Sequence, residues 1–133
     1  MPTFDSIPYD DDLKVASIIE EGVRASDLHE LAAALGLSIH EIGAALRIPR
    51  RTMDRRLASE GLLSFEETER AVRLGRVIAK SKDVFEDAQA ASSWLTQALS
   101  SCAGRTPLAL CATEAGARAV EQTLGRIEHG VFS

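Results

Sequence analysis

Asparagine is absent from this 133-residue chain, cysteine occurs twice, tryptophan and tyrosine once each, and aromatic residues make up only 5%. Two thiols, Cys102 and Cys111, are too few and too loosely spaced for a disulfide framework or a cysteine metal site, and they read as plain buried thiols. No apolar run approaches the roughly 20 residues that span a bilayer, which excludes a membrane helix. The opening Met1-Pro2-Thr3-Phe4-Asp5 lacks the basic and apolar regions of a secretory signal, so the expected location is the cytoplasm. Strand formers are scarce as well: Val and Ile together number 15, against 20 Ala and 15 Leu. The apolar share is nonetheless 45%, enough for a real core, and its bias toward helix formers predicts an all-α protein.

Positive charge is short overall, with a net charge of -5. Taken alone this argues against nucleic acid as a partner, since phosphates are neutralised by surplus Lys and Arg. The charge is segregated, however. Residues 1–25 carry -4, residues 26–82 carry +2, and residues 83–133 carry -3. Ten bases and five acids lie between Arg47 and Lys82, and five arginines with one acid, Asp54, lie between Arg47 and Arg56. A basic stripe on an acidic chain is what a local phosphate contact requires. A solvated helix face is the plainer explanation for it.

Along the chain, the first ten residues show no period and read as a mobile arm, followed by a first helix from Asp12 to about Arg24. Ser26 is placed to cap a helix with apolar Leu28, Leu31, Ala32 and Leu35, and Gly36 is placed to end it. Ser38 with Glu41, and Ser64 with Glu67, have capping-box spacing, and Asp83 to Glu86 repeats it. Pro49 forces a turn before a helix opened by Arg50, which should stop near Gly61. A long helix is expected from Ser64 to about Lys80, another from Glu86 to Leu99, a loop to Thr106, a short turn from Pro107, and a last helix from Glu114 to His129 ended by Gly130.

Two short helices joined by a tight turn, with Ile42, Leu46, Ile48, Met53 and Leu57 to pack them, match a helix-turn-helix. The second helix would read the groove, and with the turn it offers Arg47, Arg50, Arg51, Thr52, Arg55 and Arg56 to DNA. Arginine can make paired hydrogen bonds to guanine, whereas the absent Asn and a helix without Gln leave adenine without its usual bidentate partner. The competing explanation is a helical hairpin whose arginines pair with nearby acids. One such unit makes few contacts, so a homodimer reading half-sites about 34 Å apart is expected.

Catalytic patterns are missing. His29, His40 and His129 have no metal-ligand spacing, Asp10-Asp11-Asp12 cannot converge on one ion, and there is no Walker loop, dinucleotide fingerprint or nucleophile elbow. Neither an enzyme, a metal nor a cofactor is expected.

The stretches Gly104-Arg105-Thr106-Pro107-Leu108, Thr113-Glu114-Ala115-Gly116-Ala117 and Leu124-Gly125-Arg126-Ile127-Glu128-His129-Gly130-Val131-Phe132 resemble the Xre/MbcA/ParS antitoxin family. The resemblance extends back through Arg51-Thr52, Arg55-Arg56, Leu63-Ser64 and Trp94-Leu95. It implies an Xre/Cro-like helix-turn-helix domain followed by a small helical toxin-binding domain, in a type II toxin-antitoxin module. The implied partners are a RES-type toxin, an NAD-using protein resembling ADP-ribosyltransferases, and operator DNA. The antitoxin would cover the toxin's active-site cleft, repress its own operon, and form a homodimer within a toxin-antitoxin hetero-oligomer. The corresponding division is an acidic arm and first helix over 1–25, a DNA-binding domain over 26–82 and a toxin-binding domain over 83–133. Arg105, Arg126, Glu128, His129, Val131 and Phe132 are the expected toxin contacts. Without the resemblance, Phe132 could fold back on its own domain and Arg126 could answer the helix dipole. The alternative function is a stand-alone helix-turn-helix regulator with a C-terminal dimerisation domain.

Overall fold

A computed structural model describes residues 4–130. Among these residues the all-α expectation holds: helices α1 (Asp12–Glu21), α2 (Leu28–Leu35), α3 (Ile39–Ala45), α4 (Arg50–Ala58), α5 (Phe65–Phe85), α6 (Ala88–Leu95), α7 (Pro107–Leu110) and α8 (Glu114–Glu128) are joined by turns, and α6 to α7 by a longer loop with a 3-10 turn at Ser100–Cys102. The only strand-like pairing among them is an isolated antiparallel bridge between Arg24 and Leu62.

Helix α5 organises the fold. Its 21 residues rise about 30 Å. Ala71, Leu74, Val77 and Ile78 form its inner face as expected, and α1, α6 and α8 all pack on it. Leu28, Ile42 and Met53 from the N-terminal helices belong to the same continuous core as Val120 and Leu124 of α8. The helix also outruns the sequence expectation by five residues, passing through Lys82 and Asp83 to Phe85. Val84 and Phe85 repeat Val77 and Ile78 two turns later and are half-buried against the core, which carries the helix on. Asp83 therefore lies inside α5 and does not cap the next helix. Glu86 ends α5 in the left-handed conformation (φ 54°), and Asp87 caps α6 by accepting from the Gln89 N–H. Helix α6 stops at Leu95, short of Leu99, with Trp94 stacked at a tilt on Phe85 (ring centroids 5.7 Å apart).

Other helix ends follow the sequence more closely. Ser38 and Ser64 each close a capping box with the glutamate three residues on. Gly36 ends α2 at φ 66°, but Ser26 caps nothing. Instead residues Ala25–Asp27 form a 3-10 turn in which the Arg24 N–H donates to the Asp27 carboxylate, and α2 starts one residue later. At the end of α4 it is Glu60, not Gly61, that takes the left-handed conformation (φ 55°).

The first residues correct the expectation of a mobile arm. Phe4 and Ile7 are buried in the core. The Phe4 and Asp5 N–H groups donate to the Glu30 carboxylate on α2, and the Tyr9 hydroxyl donates to the Phe4 carbonyl. Tyr9 and Phe4 lie over Gly75, where any Cβ would collide with the phenol oxygen. Aperiodic apolar side chains hid this strap from helical pattern reading: they fill a slot that a glycine leaves on α5.

Candidate functional site

Helices α3 and α4 form the helix-turn-helix unit. Ile42, Leu46, Ile48 and Met53 are buried between them and Leu57 is half-buried, as the spacing predicts. The helices cross closely because position 43 is glycine: a Cβ there would sit 2.8 Å from Met53 Cε. The turn is tight. Arg47 adopts the left-handed conformation (φ 59°), the Ile48 N–H donates to the Gly43 carbonyl, and Pro49 leads into α4 with its carbonyl accepting from Met53. On the outer side His40 Nε2 lies 2.7 Å from Asp54 Oδ1, joining α3 to α4. Glu41, which caps α3, has its carboxyl held below its ordinary range, first by the Ser38 N–H and then by the Ser38 hydroxyl.

Arg47, Arg50, Arg51 and Arg55 are exposed and Thr52 is half-exposed. Arg51 and Arg55 lie one turn apart on the outward face. Arg56 is different. Its side chain is only 20% exposed and forms an ion pair with Glu67 of α5. Three residues after Met53, it shares the inward side of α4, apart from the exposed Arg51 and Arg55.

The wider basic stripe is also divided. Arg70 Nε donates to the Leu46 carbonyl at 2.7 Å, closing the end of α3. Arg73 is buried and donates to the Cys111 and Ala112 carbonyls after α7 while pairing with Glu69. Arg76 grips Glu114 and Glu121 of α8 at 3.0 and 2.8 Å, and Lys82 holds Asp5 at 3.2 Å. Arg56, Arg70, Arg73 and Arg76 thus bond within the fold, and Lys82 pairs with Asp5 at the surface. Of the ten bases from Arg47 to Lys82, the exposed ones are Arg47, Arg50, Arg51 and Arg55 of the helix-turn-helix.

Arg73 and Arg76 position the C-terminal helices. Thr106 caps α7 and Thr113 caps α8 through their hydroxyls. Gly116 presses on the Leu110 carbonyl so closely that no Cβ fits. Burial raises the Glu114 carboxyl, but the hydrogen bond and charge of Arg76, with Arg73 and Arg118, outweigh it and hold the group below its ordinary range. Cys111 beneath them is a buried thiol pushed up to about 12, by burial first and by Glu121 second. Arg105 is exposed in the loop before α7. At the far end of α8, Arg126, Glu128 and His129 are all exposed within one turn, with Arg126 donating to the Thr123 hydroxyl at 3.2 Å and Gly130 turning the chain at φ 72°. Val131 and Phe132 lie outside the described residues. Sequence reasoning named Glu67 only as a cap, Arg70, Arg73 and Arg76 only within the basic stripe and Gly116 only within a motif, and missed their contacts with other elements, although the three-residue spacing of Arg70, Arg73 and Arg76 marks one face of α5.

Among the described residues no group of three or more His, Cys, Asp or Glu could hold a metal ion, and no helix is long and apolar enough to cross a membrane.

Comparison with known proteins gives two consecutive matches along the chain. Residues 14–76 match the antitoxin Xre-like helix-turn-helix domain, and residues 81–130 match the antitoxin Xre/MbcA/ParS C-terminal toxin-binding domain. Antitoxin Xre of Yersinia enterocolitica is 39% identical over 94 residues, covering 70% of this chain and 64% of that protein. The Prs ADP-ribosylating antitoxin of a Sphingobium species is 30% identical over 125 residues, covering 87% of this chain and 79% of that protein. Antitoxin Xre of Photorhabdus laumondii is 33% identical over 84 residues, with 62% and 57% covered. The chain thus spans less than two thirds of the length of these two Xre antitoxins. Two consecutive domain matches on one all-helical frame, and a relative aligned over most of both chains, place the protein: it belongs to the Xre/MbcA/ParS antitoxin family of toxin-antitoxin systems.

Proposed function

We propose that this chain neutralises a RES-type, NAD-using toxin by seating the end of α8 in the toxin's active-site cleft, and that its helix-turn-helix represses the operon encoding both. The observation that carries this reading is the last turn of α8. Arg126, Glu128 and His129 project to solvent from a helix that Arg76 clamps to α5 through Glu114 and Glu121. A rigidly held helix tip with exposed polar and charged groups suits insertion into a cleft, because little conformational freedom is lost on binding. Arg126 could meet an acidic group of an NAD site, and Val131, Phe132 and Arg105 would add further toxin contacts. The name of the Sphingobium relative, Prs ADP-ribosylating antitoxin, associates that protein with transfer of ADP-ribose, the chemistry of an NAD-using toxin.

Functionally, residues 26–82 would serve DNA and residues 83–133 the toxin. Arg47, Arg50, Arg51, Thr52 and Arg55 would contact operator DNA in the cytoplasm, two copies of the chain reading two half-sites. The test is a truncation. A chain lacking residues 126–133, mixed with the cognate toxin, is expected to leave NAD consumption uninhibited while still retarding operator DNA. Full inhibition by the truncated chain would overturn the plug.

A further inference from the structure

The reading helix α4 packs its backbone on α3 and on the 3-10 turn at Ala25–Asp27. Its link to α5, which carries the rest of the molecule, runs through side chains. At one point the Arg56 guanidinium pairs with Glu67 in the first turn of α5. At a second, Arg70 one turn later reaches the Leu46 carbonyl where α3 ends and the turn begins. The Glu67 carboxylate is only 10% exposed and also accepts from the Ser64 N–H, so it is fixed by its own helix cap before it engages Arg56. One short stretch of α5 thus holds the helix-turn-helix unit at two points, at its turn through Leu46 and near the end of α4 through Arg56, and Gly43 leaves the unit itself closely packed.

We propose that Glu67 and Arg70 are positioning residues for DNA recognition, and that Arg56 acts as a strut to Glu67 without touching phosphate or base. The strut sets how α4 is presented, and therefore whether Arg51 and Arg55 reach the groove in register. This rests on the reading of α4 as the DNA-contacting helix. A buried carboxylate that binds Arg56 also keeps that guanidinium away from phosphate, so replacing Glu67 has opposite effects under the two roles. As a strut its loss weakens binding; as a competitor its loss frees Arg56 and strengthens binding.

The salt dependence of binding separates positioning from contact, because each phosphate contact contributes about 0.9 to the slope of log affinity against log salt. Glu67→Gln is the suitable substitution, since Gln also serves at this position of a capping box. Full-length wild type, Glu67→Gln, Arg56→Ala, the double variant and Arg51→Ala would be titrated against operator DNA at several salt concentrations, with thermal melts in parallel. Expected is a five- to tenfold loss of affinity, roughly, for Glu67→Gln and for Arg56→Ala, no further loss in the double variant, and an unchanged salt slope in all three. Arg51→Ala should weaken binding by about tenfold or more, through loss of a groove contact. A lowered slope for Arg56→Ala, or tighter binding by Glu67→Gln, overturns the strut. Melting temperatures hold the outcome to position: loss of affinity that tracks the fraction unfolded at the assay temperature also overturns it. Absence of operator binding by wild type, or an unchanged affinity for Arg51→Ala, would instead remove the underlying reading of α4.

Discussion

At the residue scale two backbone positions carry opposite demands. Arg47 sits in the left-handed region that disfavours a side chain, at the point where the helix-turn-helix reverses. Replacing it with glycine is expected to leave stability unchanged or raise it by up to about 1 kcal/mol in a denaturant titration, because the strain is relieved. The same Arg47→Gly variant should bind operator less tightly, with a salt slope lower by about 0.9. Strain and charge are thereby read separately. Gly116 has no such latitude, since any side chain there meets the Leu110 backbone carbonyl, which cannot swing aside as a side chain can. Gly116→Ala is expected to cost about 1–3 kcal/mol by the same titration. Neither demand was legible in the sequence: nothing in the order of residues tells that position 47 needs positive φ, or that residue 110 returns to touch residue 116. What was legible is the chemistry of the exposed arginines, since Arg50, Arg51 and Arg55 need only the helical period to be placed outward, whereas the role of Arg56 depended on a glutamate in a different helix.

Elements were easier to read than their ends. The apolar period of 3.6 is a property of the local sequence, and it placed α2, α3, α4, α5 and α8 near their observed positions. Ends are settled by competition between caps and packing. The motif from Asp83 to Glu86 has cap spacing, yet Val84 and Phe85 gain more by continuing α5 into the core. How α8 is fastened could not be read either, because it depends on Arg73 and Arg76 meeting Glu114 and Glu121 across a gap of about forty residues in the chain. That fastening has a pH signature. The Glu114 carboxyl in the folded protein lies below its ordinary value of 4.5, so its contribution to stability is complete above that value and is lost as pH falls through the lower folded value. Acid titration below pH 4.5 is expected to loosen α8 from α5, followed by exchange of the α8 amide protons, and Arg76→Ala should weaken that acid-dependent step while leaving α8 less protected at neutral pH.

For the molecule as a whole, the net charge of -5 proved a poor guide because charge is assigned locally. Half of the ten bases between Arg47 and Lys82 are engaged with other parts of the chain, and four of the remainder stand exposed on the helix-turn-helix. The core is likewise shared, with residues from Phe4 to Leu124 in one cluster. Removing residues 1–9 is therefore expected to cost about 1.5–3 kcal/mol for each of the buried side chains Phe4 and Ile7, measured as a shift in the denaturant midpoint. An unshifted midpoint would mean that the strap contributes nothing. Unfolding of the intact chain should follow one transition by helical signal and by tryptophan fluorescence, since Trp94 and the helix-turn-helix are joined through the same core.

Helix α5 also sets a distance. Glu67 engages the reading helix in its first turn, whereas Lys80 and Asp83 border the cleft that Glu128 lines at the end of α8. Sixteen residues of helix separate Glu67 from Asp83, a rise of about 24 Å. Under the function proposed above, that spacer would keep the two recognition ends from sharing a footprint: a guest held at one end would leave the other open, and a change of operator preference on α4 would not redraw the surface offered to a toxin.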